Sequence, residues 1–249
     1  MIIRKLLFFF LLCSLSLMAF FFGSRTQRQP EDFPLKEQKQ FAVILYAHNC
    51  VNFCDRMLRS VFEQEYDRYR ILFIDDASVD GTYEQAQRFC VEQDQEERVV
   101  IMKNEVFSGP YQSLLRGIEQ CSEHEIVLPL GGWLAHNQAL SRFNRAFQNC
   151  DVWAVSSQLM DYPSYKILEL REGEAFFPPL CFYAVIFRSL PLTESYLETL
   201  LERSKGHFRT IEEPLLFVNQ AHQMRFFNFD KESGPPKSIL PRKVREFFK

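Results

Sequence analysis

The sequence has no excess of positive charge: 29 Lys and Arg face 32 Asp and Glu across 249 residues, a formal net charge of -3. No basic stripe with interleaved aromatics crosses the central region, which argues against nucleic acid as a partner. A disulfide framework is missing as well. Seven cysteines is an odd number, at spacings that suggest no pairing, and Cys13 lies in an apolar N-terminal run. The pattern reads as reduced thiols in a reducing compartment. His48 with Cys50 and Cys54 offers three soft ligands and no second cluster, too few for a structural zinc site. There is no internal repeat. Ala175 to Arg188 is apolar, but Pro178 and Pro179 interrupt it, so it reads as a strand and loop over the acceptor side of a site, or as core, and not as a span.

The apolar run that is present stands at the N-terminus. Leu6 to Gly23 carries no charge and is flanked by Arg4 and Lys5 on one side and Arg25 and Arg28 on the other. At 1.5 Å per residue such a helix is about 27 Å long, enough for a bilayer core. A cleaved signal peptide is the rival reading. The run continues as Phe20, Phe21 and Phe22 past the small residue Ala19, which favours an uncleaved single-pass anchor. The basic C-terminal flank and the thiols together predict a domain on the cytoplasmic side. The organisation is therefore an anchor over 1–23, a Pro-containing linker over 24–40, a domain over 41–230 and a basic tail over 231–249. The tail's Ser238 to Lys249 mixes apolar residues with Arg242, Lys243 and Arg245, as a segment lying on an anionic membrane surface would, or as a frayed terminus.

Within the domain, strand and helix patterns alternate. Strands are predicted over Phe41–Ala47, Arg70–Ile74, Arg98–Lys103, Glu125–Leu130 and Val152–Leu159. Helices are predicted over Val51–Gln64, Asp80–Gln93, Gly109–Gln120 and Asn137–Phe147, the last capped by Asn137. This alternation implies right-handed crossovers and a mostly parallel sheet flanked by helices, an α/β fold. Further on, Glu194–Arg203 and Ile211–Gln220 read as helices and Met224–Phe229 as a final strand.

The richest stretch is RILFIDDASVDGT, Arg70 to Thr82. A β-branched and aromatic strand ends in Asp75 and Asp76, and Ser78, Asp80 and Gly81 form a turn into the next helix. Open α/β sheets bind ligands at that end of their strands. Acceptors there can hold the edge of a base or the hydroxyls of a ribose; the same residues also suit a turn that only caps a helix.

FAVILYAHN (Phe41 to Asn49), a helix and IDDASVDGT (Ile74 to Thr82), followed by NEVFSGP, RGIEQC and WLAHNQAL (Trp133 to Leu140), resemble family-2 glycosyltransferases of the GT-A fold. The resemblance runs in order from about Phe41 to Tyr165. It implies a GT-A-like, Rossmann-like sheet, a nucleotide-sugar donor and a glycan, lipid or protein acceptor. The family usually carries Asp-Gly-Asp-Asp before the tryptophan, to hold a divalent metal on the donor's diphosphate. This chain has Pro129, Leu130, Gly131 and Gly132, whose side chains offer no oxygen to a hard cation. No bound metal or other cofactor is therefore expected.

The resemblance also points to site residues. Asp75 or Asp76 would bind base or ribose, with His48 lying against the base. Arg116 would neutralise a diphosphate in place of a metal, or sit as a solvated helix charge. Trp133 and His136 would line the donor or acceptor pocket; Trp133 equally suits a packing anchor. The general base would be Glu213, with Glu212 beside it, at the start of the helix read over Ile211–Gln220. Acidic residues in a helix's first turn have a simpler explanation in the macrodipole. Two functions follow: a metal-independent transferase, or a GT-A-like module that binds a nucleotide or glycan without turnover.

Overall fold

The computed structural model describes residues 37–167, 180–188 and 204–218. The chain divides into two compact units, Met1–Lys36 and Glu37–Lys249, and every described residue belongs to the second. The predicted anchor Leu6–Gly23, the helix over Glu194–Arg203, the strand over Met224–Phe229 and the basic tail lie outside the described residues. Among the described residues no helix is long and apolar enough to cross a membrane.

Eight strands form one sheet: β1 (Phe41–Ala47), β2 (Tyr69–Asp75), β3 (Val99–Lys103), β4 (Ile126–Leu130), β5 (Trp133–Leu134), β6 (Ala154–Asp161), β7 (Leu180–Tyr183) and β8 (Phe208–Val218). The helices are α1 (Val51–Phe62), α2 (Thr82–Glu92), α3 (Gly109–Glu119), α4 (Ala139–Ala146) and the short α5 (Ala184–Arg188). Strand order is β3-β2-β1-β4-β7-β6-β8-β5. β1 pairs in parallel with β2 and β4, β2 with β3, and β6 with β8. β7 runs antiparallel to both β4 and β6, so β6 and β8 point the same way as β1 to β4. The carboxyl ends of β1, β2, β4, β6 and β8 therefore share one edge of the sheet.

Alternation divides each central strand between two faces. Phe41, Val43 and Leu45 of β1 and Ile71 and Phe73 of β2 enter the core beneath α1, α2 and α4. Ala42, Ile44, Leu72 and Ile74 enter the one beneath α3 and α5. Strands buried on both faces need the near-continuous apolar runs seen here. α1 contributes Cys54, Met57, Leu58 and Val61, each of the larger side chains gaining about 1.5–3 kcal/mol from burial.

Three expectations are corrected. Ile211–Gln220 is not a helix: Phe208–Val218 is a strand, with register shifts against β6 on either side of the Gln158–Pro214 pair. Pro214 supplies the reason, because inside a helix it would remove a hydrogen bond and clash with the preceding turn, whereas a bulged strand accepts it. α4 begins at Ala139 with Gln138, not Asn137, at the cap position. The apolar stretch around Leu180 is a strand followed by a helix and not by a loop.

Candidate functional site

The turn after β2 is built by hydrogen bonds that join it to the start of α1. Asp80 accepts from Val51 N at 3.0 Å and from Thr82 N at 3.0 Å, with Thr82 Oγ1 at 2.6 Å. One carboxylate thus serves the first turns of two helices. Burial alone would raise its pKa, but these donors hold it below the ordinary carboxylate range. Thr82 Oγ1 in turn accepts from Cys50 N, and Ser78 Oγ accepts from Asn49 N. Gly81 sits at φ +89°, a left-handed conformation that favours glycine and completes the Asp-Gly-Thr turn.

The neighbouring carboxylates Asp75 and Asp76 are both fully buried, yet they differ in what they bind. Asp76 is saturated. Its Oδ1 accepts from Asn104 Nδ2 at 2.7 Å and Ser108 N at 2.9 Å. Its Oδ2 accepts from Gly109 N at 2.7 Å and the Tyr46 hydroxyl at 3.2 Å. Burial and the Asp76 charge push the Tyr46 phenol well above its usual range. Asp76 thereby fastens the 104–109 loop and the start of α3 over the end of β1. Asp75 accepts from Ser78, whose N lies 3.2 Å from Oδ2, and its Oδ1 accepts no hydrogen bond from a described residue. Burial raises the Asp75 pKa, against the hydrogen bonds from Ser78. A buried acceptor left unmet costs about 1–3 kcal/mol, which makes it a place to look for a ligand donor.

His48 lies beside this turn with a defined tautomer. Asn49 Oδ1 accepts from Val79 N at 2.9 Å, which fixes the amide so that its NH2 faces His48 Nε2 at 3.0 Å. Nε2 is therefore the acceptor, and Nδ1 carries the proton it donates to Asp76 O at 2.6 Å. The ring lies 4.7 Å from that of Phe107, centroid to centroid. Phe107, Val79 and Val106 are all exposed, an apolar rim around the strand ends. Arg116 is turned elsewhere: its guanidinium donates to Lys103 O at 3.0 Å and to Asn104 Oδ1, bracing the end of β3.

The segment after β4 leads down the side of α1. Leu130 is buried, and a Cβ on Gly132 would land on the Phe217 carbonyl of β8. A carboxylate side chain at position 132 would have to displace that strand. Among the described residues no three of His, Cys, Asp and Glu gather as metal ligands. The side chains of Pro129, Leu130, Gly131 and Gly132 carry no oxygen for a hard cation.

Trp133 is buried and surrounded by rings: Phe53 at 6.1 Å, Tyr162 at 5.3 Å and Phe217 at 6.2 Å. His136 and the two glutamates lie farther along. His136 O accepts from Gln64 Nε2 just beyond the end of α1, whereas the Asp75 turn contacts its start. A helix of 12 residues spans about 18 Å. His136 Nδ1 accepts from Gln138 N, so a neutral ring has its proton on Nε2, 3.4 Å from Glu213 Oε1. That contact has ion-pair range without hydrogen-bond geometry. Arg142 Nε stands 3.6 Å from Glu213 Oε2. Glu213 of β8 is thus held by His136 and by Arg142 of α4, and Glu212 is exposed. The structure joins His48, Asp75 and Asp76 at one place and His136 with Glu213 at another. Residues that the sequence reading passed over, Arg56, Asn104, Tyr162 and Phe217, complete the strand-end edge. Tyr162 and Tyr165 flank a proline turn, a signal that was readable; Phe217 was hidden inside the misread helix.

The family described as Glycosyl transferase family 2 matches residues 42–130. No curated protein sequence matches. Solved structures similar in fold include Staphylococcus aureus TarS 1–349 in complex with UDP-GlcNAc, at 14% identity over 72% of this chain and 58% of that one, TM-score 0.57. TarS 1–349 in complex with UDP is similar at 13% identity over 75% and 64%, TM-score 0.58. The mannosyltransferase PcManGT from Pyrobaculum calidifontis, in complex with GDP-Man and Mn2+, shares 18% identity over 80% and 63%, TM-score 0.56. This chain spans about three-fifths of the length of each. The match begins in β1, takes in the Asp75 turn and ends with β4, so it covers the part of the sheet that carries that turn.

Proposed function

We propose that this chain is a glycosyltransferase that takes its sugar from a nucleotide-sugar donor seated over the carboxyl ends of β1 and β2, with no divalent metal held by the protein. The observation that carries the reading is Asp75, whose buried Oδ1 accepts no described hydrogen bond. An imide N–H, as uracil and guanine both present, is the donor such an oxygen lacks. His48 and Phe107 offer ring faces beside it. The UDP-GlcNAc of TarS and the GDP-Man of PcManGT supply the two donor classes to try.

In the transfer, an acceptor hydroxyl oxygen bonds to the anomeric carbon as the bond to the diphosphate breaks. The nucleoside diphosphate leaves and the hydroxyl proton passes to a base. The contacts of Glu213 with His136 and Arg142 direct the search for that base to the end of β6. Asp161 ends β6 there and is followed by Tyr162 of the aromatic cluster. Its Oδ2 accepts from Ser164 Oγ at 2.6 Å. We infer that Asp161 is the base in place of Glu213.

The test is release of nucleoside diphosphate from UDP-GlcNAc and GDP-Man with a mixed acceptor panel, in the presence of EDTA. Turnover that survives EDTA supports the proposal; turnover that appears only with Mn2+ overturns its metal-free part. Retention through Leu6–Gly23, with the domain in the cytoplasm, accords with the apolar run and with the thiols of the six described cysteines. Carbonate extraction and protease protection of membrane vesicles test that placement.

A further inference from the structure

A cavity of about 310 Å³ opens beside α1, lined among others by Arg56, Arg59, Trp133, Tyr162, Tyr165 and Phe217. Its volume is at the low end for a small-molecule site. Resting on the transferase reading above, we propose that this cavity is the acceptor site, and that the acceptor it takes joins a sugar or polyol ring to an anionic group.

Position is the first argument. Ser78, Asp80 and Thr82 bond to Asn49, Cys50 and Val51, at the start of α1. The cavity is lined from Arg56 onward, five residues and roughly 7.5 Å farther along the helix axis. It is adjacent to the nucleotide turn without coinciding with it, as two substrates exchanging a group require. Phe53, in the first turn of α1, stacks on Trp133 and joins the two places.

Chemistry is the second. The Arg56 guanidinium lies 5.2 Å from the Trp133 ring centroid and 4.6 Å from that of Tyr162. Arg59 lies over Phe89 at 5.0 Å. Both arginines are exposed, and neither pairs with a described carboxylate, Glu63 on the same wall included. A guanidinium held over rings is preorganised and has donors for a forked anion. Tyr165, 63% exposed, adds an amphipathic face of the kind that covers a sugar ring. Two cations beside an aromatic wall discriminate for an anion attached to a ring, and against a neutral ring or a bare anion.

The experiment uses the full chain carrying Trp153→Phe. The sequence has two tryptophans, and Trp153 stacks on His207, so Trp133 becomes the sole fluorophore. Glucose 6-phosphate, glucuronate, glucose and inorganic phosphate are titrated, with UDP binding followed in parallel by calorimetry. Glucose 6-phosphate or glucuronate should change the fluorescence saturably, about tenfold or more tighter than glucose or phosphate; which of the two binds tells phosphate from carboxylate. Arg56→Gln should remove that preference, Arg59→Gln should weaken it, and UDP should still bind both variants. Equal binding of charged and neutral sugars, or none of either, overturns the proposal. So does displacement of the sugar phosphate by UDP, which would assign the arginines to the donor's diphosphate. UDP binding without sugar-phosphate binding defeats this inference alone, and the converse defeats the donor reading alone.

Discussion

The two edges of the sheet treat their polar groups differently. At the amino edge the buried charge of Glu125 is met. Arg70 holds Glu125 by two bonds of 2.6 and 2.8 Å, and Ser122 N adds a third at 2.6 Å. Tyr66 OH donates to Lys39 O, and Asn144 bridges Lys39 N and Glu37 O. At the carboxyl edge Asp75 is buried with one oxygen unmet by any described residue, Phe107 and Val79 are exposed, and Arg56 lies over rings with no described carboxylate paired to it. The carboxyl edge has met carboxylates too, Asp76 and Asp80, but among the described residues it sets beside them an unmet Asp75 oxygen, the exposed Phe107 ring and the Arg56 guanidinium, the raw materials of recognition.

The largest expected effect breaks the comparison if it falls on the wrong edge. Asp161→Asn should lower turnover by about a hundredfold or more, the scale of losing a general base. Glu213→Gln should leave turnover within about threefold, because its carboxylate serves His136 and Arg142. Steady-state rates on one donor and acceptor pair decide it, and the reverse ranking would return the base to Glu213.

Next is Glu125→Gln. Arg70 is half-buried, and losing its counter-charge should cost about 1–2 kcal/mol in denaturant unfolding. UDP affinity should not move, since Glu125 precedes β4 at the opposite end from the site. Burial would raise the Glu125 pKa, but Arg70 lowers it overall, as Thr82 does for Asp80. Their stabilisation is complete above the unfolded carboxylate pKa of about 4 and is lost as pH falls through the lower folded values. Acid unfolding monitored by circular dichroism should therefore begin at higher pH in Glu125→Gln.

Asp75→Asn carries the opposite sign. Its folded pKa is raised by burial, so its contribution is favourable below the unfolded pKa and is lost as pH rises through the folded one. The amide can still accept from Ser78 N without placing a charge in the core. The variant should be about 1 kcal/mol more stable at pH 7, and the gain should fade below about pH 4. A loss of stability at pH 7 would mean that Asp75 has a structural role like that of Asp76.

The contrast between the edges also explains what could be read beforehand. β1, β2 and β4 were legible because strands buried on both faces need continuous apolar runs, and amphipathic helices follow β1, β2 and β3. β5 has two residues and no period to detect. β8 was misread because Glu212 and Glu213 before an apolar run look like a helix's first turn; Pro214 was the contrary signal. Asp75 and Asp76 are indistinguishable as adjacent letters. Only the return of the 104–109 loop, which brings Asn104, Ser108 and Gly109 onto Asp76, separates the structural carboxylate from the one left to bind. Gly132 could be seen to lack a metal ligand, but not that β8 closes the space where one would go.

The central claim is that Asp75 receives a nucleobase where the protein holds no metal, and calorimetric titration of UDP and GDP tests it most directly. The titrations are run into the unmodified chain and Asp75→Asn, each with EDTA and with Mn2+. The account predicts that one nucleotide binds, that its affinity is nearly indifferent to Mn2+, and that Asp75→Asn weakens it about tenfold, or 1.4 kcal/mol. Binding that requires Mn2+ and is unchanged by Asp75→Asn would contradict it.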